Sequence, residues 1–278
     1  MGNALEYAIC QGLQKRKIAP FSTETSDKLK RLKRDFDTVN EPSRIKYRRL
    51  DSVLDTLGIT QAKFPQYELT HETIGHIKAD TSDLILHSPS DPKDNIKLSI
   101  KNNNTYIKHQ RPNKLYLQLQ LTQKESLRFI SAYTAVNDRY FNLWKDLKTW
   151  NNVPTTKKFE LYEEINQLTL KWISANPARL MCYLGFVLDA ADPKKYILKW
   201  DPSMNDFMVI TYNADDFSIK GKAAKYELSV RDSSFVMIKV GTKHLVQLRI
   251  HNASSRITKV LSLKYTTTIH SLPYKLAT

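Results

Sequence analysis

The run Asp83-Leu84-Ile85-Leu86, the turn Ser88-Pro89-Ser90-Asp91-Pro92 and the run Ile96-Lys97-Leu98-Ser99-Ile100-Lys101 read together as two short strands joined by a loop. An apolar triplet and a strict apolar–polar alternation are strand patterns, and the two prolines between them mark a turn. Pairing the strands brings Asp83 and Lys101 near one edge of a sheet. Period-2 alternation puts Ser99 and Lys101 on one face and sends Ile100 toward the core. Asp83 is a hard oxygen donor of the kind Mg2+ takes, and the backbone carbonyl of Ile100 is a further candidate ligand. Lys101 can orient water or stabilise charge that develops on a phosphate. A metal-binding carboxylate beside such a lysine is the minimum equipment for phosphodiester hydrolysis. Taken alone, Asp-x15-Ser-x-Lys is a loose pattern. It equally fits an aspartate that opens one strand and a lysine that snorkels at the end of another.

The charge balance points the same way. The 278 residues carry 43 Lys+Arg against 28 Asp+Glu, a net charge of +15. Such a surface suits a polyanion, because each phosphate neutralised by Lys or Arg releases counterions. A merely solvated basic surface is the plain alternative. Hydrophobic residues make up 41% of the chain, enough for one large domain or two small ones. Glycine is scarce, at seven residues, and there is no Gly-rich phosphate loop, which argues against P-loop NTPases and Rossmann oxidoreductases. Neither G-x-S-x-G nor H-E-x-x-H occurs. Cys10 and Cys182 sit in apolar stretches without metal-ligand spacing and read as reduced core residues. No run approaches the roughly 18 apolar residues of a membrane span, and no signal-peptide pattern opens the chain. The expectation is a soluble, intracellular, cytoplasmic protein with no membrane partner.

Leu5, Ile9 and Leu13, flanked by Ala4 and Ala8, predict a helix over 3–14. A second helix is expected over 24–40 and a third over about 43–57, ended by Gly58. Lys28 to Arg49 holds nine basic residues and three acidic ones, so 24–60 reads as a basic helical subdomain. Tyr116 to Leu121 alternates and predicts a strand. Thr122-Gln123-Lys124-Glu125 is a capping-box signature that opens a long helix to about Lys148. A helix from about Thr155 is expected to turn Phe159, Tyr162, Ile165 and Leu168 inward, and another to cover Pro177 to Ala190. After Pro193 the runs 206–212, 225–231, 234–240, 243–250 and 258–268 are β-branched, aromatic and alternating. They predict an antiparallel meander in a β-rich portion over 203–270. No long linker divides 1–278, which predicts one compact body.

Further matches lie outside the strand pair. The segment Ser99-Ile100-Lys101-Asn102-Asn103-Asn104-Thr105-Tyr106-Ile107-Lys108-His109-Gln110-Arg111 resembles the Ser-x-Lys-His-Asn-His…Lys-His-Ser-Arg stretch of the HaeIII family of type II restriction endonucleases. Asp80-Thr81-Ser82-Asp83 resembles that family's Asp-x-x-Asp-hydrophobic element. Arg249-Ile250-His251-Asn252-Ala253-Ser254-Ser255-Arg256, with Leu263-Lys264-Tyr265, is similar to its Arg-x-His-Asn-Ala-Ser-Ser-Lys…Leu-Lys-Phe run, the most specific of the matches. Gly2-Asn3-Ala4-Leu5-Glu6-Tyr7 and Tyr183-Leu184-Gly185 are weaker echoes. The matches keep their order and span nearly the whole chain.

The resemblance implies a PD-(D/E)XK-like α/β (α+β) fold with a mixed central sheet flanked by helices. It implies Mg2+-dependent cleavage of double-stranded DNA at a short GC-containing palindrome such as GGCC or its relaxed relative RGCY. Asp83 and Lys101 take the acidic and lysine positions. Ser99 stands where the superfamily usually has Asp or Glu, so Glu6 on the first helix is the candidate for the missing acid. Asn102 and Asn104 replace histidines of the family's pattern, leaving His109 as the nearest histidine. Arg249, His251, Asn252, Ser254, Ser255 and Arg256 form a polar cluster that can read bases, touch phosphates or build a structural corner. Lys108, His109 and Arg111 are candidates for phosphate contacts. A nucleic-acid-binding protein with a degenerate, non-catalytic nuclease core is the alternative. Both a monomer and a homodimer remain open.

Overall fold

The computed structural model describes residues 2–15, 23–40, 50–57, 68–71, 84–88, 95–102, 108–187, 195–201, 206–212, 226–240, 244–270 and 274–276. The helices are α1 (Gly2–Lys15), α2 (Thr23–Asp37), α3 (Leu50–Thr56), α4 (Leu115–Gln118), α5 (Gln123–Trp144), α6 (Thr155–Ile173) and α7 (Pro177–Val187). The strands are β1 (Glu68–His71), β2 (Leu84–His87), β3 (Ile96–Asn102), β4 (Lys108–Gln110), β5 (Lys195–Asp201), β6 (Asp206–Tyr212), β7 (Tyr226–Arg231), β8 (Phe235–Val240), β9 (His244–Asn252), β10 (Leu263–His270) and β11 (Tyr274–Leu276). The protein is α+β, with a mixed sheet and a β-rich C-terminal part.

The chain divides into two compact units where one body was expected. Unit 1 is Met1–Thr105, Asp192–Asn213 and Leu272–Thr278; unit 2 is Tyr106–Ala191 and Ala214–Ser271. Each unit is assembled from separated pieces of chain. No single linker marks the boundary, and composition alone does not betray it.

Unit 1 carries, among the described residues, a six-stranded sheet in the order β1-β2-β3-β5-β6-β11. β2 runs antiparallel to both β1 and β3, with Leu84 opposite Leu98. β3 and β5 are parallel, with Ser99 beside Ile197 and Lys101 beside Lys199. A parallel neighbour needs a crossover connection, and here the first piece of unit 2 lies in it. α1 forms as its apolar spacing predicts: Leu5, Ile9 and Leu13 are fully buried, with Ala4 and Ala8 beside them. These side chains share a core with Leu84 and Leu86 of β2, Ile96, Leu98 and Ile100 of β3, Leu198 and Trp200 of β5, and Phe207 and Val209 of β6. Trp200 and Phe207 meet edge to face at 4.9 Å. Each fully buried Leu or Ile contributes ~1.5–3 kcal/mol relative to exposure. α1 therefore covers the sheet face to which Ile96, Leu98 and Ile100 point.

Unit 2 holds an antiparallel sheet in the order β4-β10-β9-β8-β7. Its β7-β8-β9-β10 part is the meander the sequence predicts, whereas β6 belongs to the sheet of unit 1. α6 packs across β7, β8 and β9. Its buried side is Leu161, Tyr162, Ile165, Asn166, Thr169 and Ile173, while Phe159, expected inside, is exposed. The buried polar atoms of this interface are matched to one another. Tyr265 donates to Asn166 Oδ1 at 2.8 Å and also approaches Thr169 Oγ1 at 2.9 Å, and Asn166 Nδ2 donates to the Ser233 carbonyl at 2.8 Å. Thr122 and Glu125 close the expected capping box at the start of α5.

The strand expected over Tyr116–Leu121 is corrected to the single helical turn of α4 followed by a turn. Pro112 starts a 3-10 turn just ahead of it. Leu115, Gln118 and Leu119 are buried while Leu117 is exposed, a helical spacing that overrides the alternation of residue types. The last expected strand starts at Leu263, not at 258, because 258–262 is irregular and held from α5. Asn137 donates to the Lys259 carbonyl and accepts from the Leu261 N–H, both at 2.8 Å. β1, β4, β5 and β11 were not among the expected strands. Among the described residues, no helix is long and apolar enough to cross a membrane.

Candidate functional site

β3 carries Ser99, Ile100, Lys101 and Asn102 in one strand of unit 1. Ser99 is fully buried. Because Leu98 and Ile100 point to the α1 side, alternation turns Ser99 to the opposite face. Ile85 and Ile197, also buried, lie on that face. The backbone of Lys101 and Asn102 completes the strand, partnered with Lys199 and Trp200 of β5. β2 begins at Leu84, the residue directly after Asp83. Asp83 and Asn104 themselves lie outside the described residues.

Glu6 is on α1, the helix that covers the face to which Ile100 points and from which Ser99 turns away. The structure does not give Glu6 and Ser99 a common face. The carboxylate of Glu6 acts instead on Cys10, one helical turn further along. Burial chiefly, with that negative charge second, holds the Cys10 thiol far above its ordinary range and makes it inert. Cys10 and Cys182 are both free thiols.

Two residues on the Ser99 face were missed. Lys199 sits next to Lys101 in the parallel register, and its ammonium lies 3.9 Å from Asp201 with both side chains largely covered. Asp201 is the cross-strand partner of Asp206, whose Oδ1 accepts from the Phe207 N–H at 2.7 Å. The alternation Lys195-Tyr196-Ile197-Leu198-Lys199-Trp200-Asp201 was the available signal. Among the described residues, no three His, Cys, Asp or Glu side chains come together as a metal site.

The cluster from Arg249 to Arg256 lies in unit 2 at the end of β9, and the fold uses much of it. Asn252 Nδ2 donates to the Ser254 carbonyl at 2.9 Å, and Ser254 Oγ accepts from the Arg256 N–H at 3.1 Å. The buried Trp150 donates its backbone N–H to the Ser255 carbonyl at 3.0 Å and its Nε1–H to the Arg256 carbonyl at 3.1 Å. Ile257 N–H reaches the Lys148 carbonyl at 2.8 Å. The segment is therefore a corner fastened to the 148–150 stretch, although the side chains of Ser255 and Arg256 are exposed. Arg249 is exposed on β9. His251 is half-buried, and its Nδ1 donates to the Asn252 carbonyl at 3.1 Å. Burial first, then the positive charges of Lys264 and Arg249, lower the basicity of its ring.

Lys108 and His109 lie on β4, with backbone partners Thr267 and Thr266 on β10. His109 is exposed. Arg111 Nη1 donates within unit 2, to Ser262 Oγ at 3.0 Å and the Leu263 carbonyl at 3.3 Å. A groove of about 510 Å³ between Tyr116, Ile130, Tyr133 and Val260 contains none of the residues singled out in the sequence. No family model, curated protein or solved structure matches this chain.

Proposed function

We propose that the chain is a Mg2+-dependent, sequence-specific endonuclease of double-stranded DNA, with Asp83 and Lys101 as its catalytic pair. The observation that supports this reading is the register of β2 on β3. Leu84, which follows Asp83, is paired with Leu98, which precedes Ser99, and the same strand runs on to Lys101. This is the pairing that the Asp…Ser-x-Lys pattern calls for. The candidate ligands are oxygen atoms, as Mg2+ requires: the Asp83 carboxylate and the Ile100 carbonyl, with the Ser99 hydroxyl on the same strand. A bound ion would polarise the phosphate and lower the pKa of a water. Lys101 supplies positive charge to the developing oxyanion. Glu6 is not part of this proposal, since its helix covers the opposite face of the sheet. The target, a short GC-containing palindrome such as GGCC or RGCY, rests on the motif resemblance.

A DNA-binding protein with a silent nuclease core is the second reading. It is favoured by one observation: β3 offers a buried serine at the position where a second acid belongs. Incubating plasmid DNA with the protein and Mg2+, then sequencing the ends, separates the two readings. The nuclease reading predicts discrete fragments with a common end sequence and their loss in Asp83→Ala. Binding without Mg2+-dependent cutting supports the silent core.

A further inference from the structure

We propose that Arg249 and Lys264, which flank His251 on the face of the unit 2 sheet opposite α6, seat a backbone phosphate of duplex DNA. The inference rests on the DNA reading above and gives this face one task within it.

The placement follows from register. Val246, Leu248 and Ile250 of β9 are buried on the side where α6 packs, so Arg249 and His251 turn to the other face. His251 and Lys264 are direct cross-strand partners. Side chains in such pairs start about 4.5–5.5 Å apart. Arg249 lies two residues from His251, about 6.8 Å along the same strand. A guanidinium and an ammonium thus flank the His251 ring, within the reach of one small anion.

Among the described residues, no acid faces them across the sheet. The neighbours of Arg249 across the sheet are Thr266 and Phe235, and beyond Thr266 comes His109. The next row holds Thr268, Gln247 and Met237. None of these is a carboxylate. Asp232, in the β7–β8 turn, is already held by Arg231 at 3.0 Å. Among the described residues, the charges that act on the His251 ring are positive, from Lys264 and Arg249.

The chemistry favours a phosphate over a base edge. Reading a base calls for groups placed to match both donors and acceptors. The nearby groups able to do this are occupied: the Asn252 amide donates to the Ser254 carbonyl, and the Ser254 hydroxyl accepts from the Arg256 N–H. Arg249 and Lys264 contribute donor-only charge. A guanidinium and an ammonium side by side match the oxygens of a phosphodiester.

The test is a binding titration of full-length wild type, Arg249→Gln and Lys264→Gln at several salt concentrations in Ca2+. It uses a duplex containing GGCC and a second duplex with one base pair of that site changed. Thermal melts confirm that the variants are folded. The expected result is an equal loss of affinity for both duplexes, with each variant lowering the salt slope by part of the ~0.9 that one phosphate contributes. An unchanged slope in both variants overturns the inference. So does a loss confined to the GGCC duplex, which would make the residue a base reader. Cleavage of plasmid by the same preparations keeps the two proposals apart. Wild type that binds with the expected slope but does not cut fails the nuclease reading alone. Wild type that cuts while the variants keep its slope fails this inference alone.

Discussion

The end of β3 and the end of β9 make an instructive pair. Both are strand ends rich in polar residues, and the β9 end carries the more specific sequence motif. Yet the β9 end is largely consumed by the fold. Asn252 and Ser254 build a turn, and the buried Trp150 holds the backbone of Ser255 and Arg256. The β3 end has a looser motif, but its register pairs the residue after Asp83 with the residue before Ser99. A motif can be specific because a corner is hard to build. Motif strength and chemical availability are separate properties, and only hydrogen-bond accounting tells them apart.

The sharpest way to break this contrast is at β3. Lys101→Ala should lower the cleavage rate by about 10²–10³-fold, the usual cost of removing one group aimed at the transition-state charge. Single-turnover cleavage in Mg2+ measures it. An unchanged rate, or a loss of folding without a specific rate defect, makes Lys101 structural.

At the β9 end the effect should fall on stability instead. Trp150→Ala should cost about 3–5 kcal/mol, as truncations of large buried aromatics do. It also removes the indole N–H from the Arg256 carbonyl. Urea unfolding reads this. Asn252→Ala is the smaller version, with a loss of ~1 kcal/mol for one hydrogen bond, and an intact ratio between cognate and altered duplexes. A changed ratio at unchanged stability would turn the corner back into a reading head.

Glu6→Gln tests the two faces of the unit 1 sheet. Since α1 covers the side away from Ser99, the variant should cleave at the wild-type rate with the same Mg2+ dependence. A large rate defect would mean that the carboxylate reaches the site by a route the sheet geometry does not provide.

The smallest effect expected is a pH dependence from His251. Its native basicity lies below the ordinary 6.5. Between the native and unfolded values the unfolded chain binds more protons, so stability rises with pH through that window and levels off above about 6.5. His251→Gln should flatten this part of the urea-midpoint profile. A profile of unchanged slope in the variant would show that the ring contributes nothing to it.

Local order was readable from the residues alone. The spacing of Leu5, Ile9 and Leu13 makes α1, Thr122 and Glu125 make a capping box, and alternation after residue 225 makes a meander. Each signal is complete within a few turns or a strand pair, so no distant partner is needed to read it. The division into two units, the seating of β5 between β3 and β6, and the helical turn at 115–118 were decided by tertiary structure. So were the roles of single polar residues. Arg111, a candidate phosphate contact by sequence, also donates to Ser262, 151 residues away. Lys264 is brought beside His251 only by the pairing of β10 with β9. The physical reason is the same in each case. A side chain's charge and hydrogen-bonding capacity are written in its type, but whether that capacity is spent depends on which distant groups the fold brings beside it.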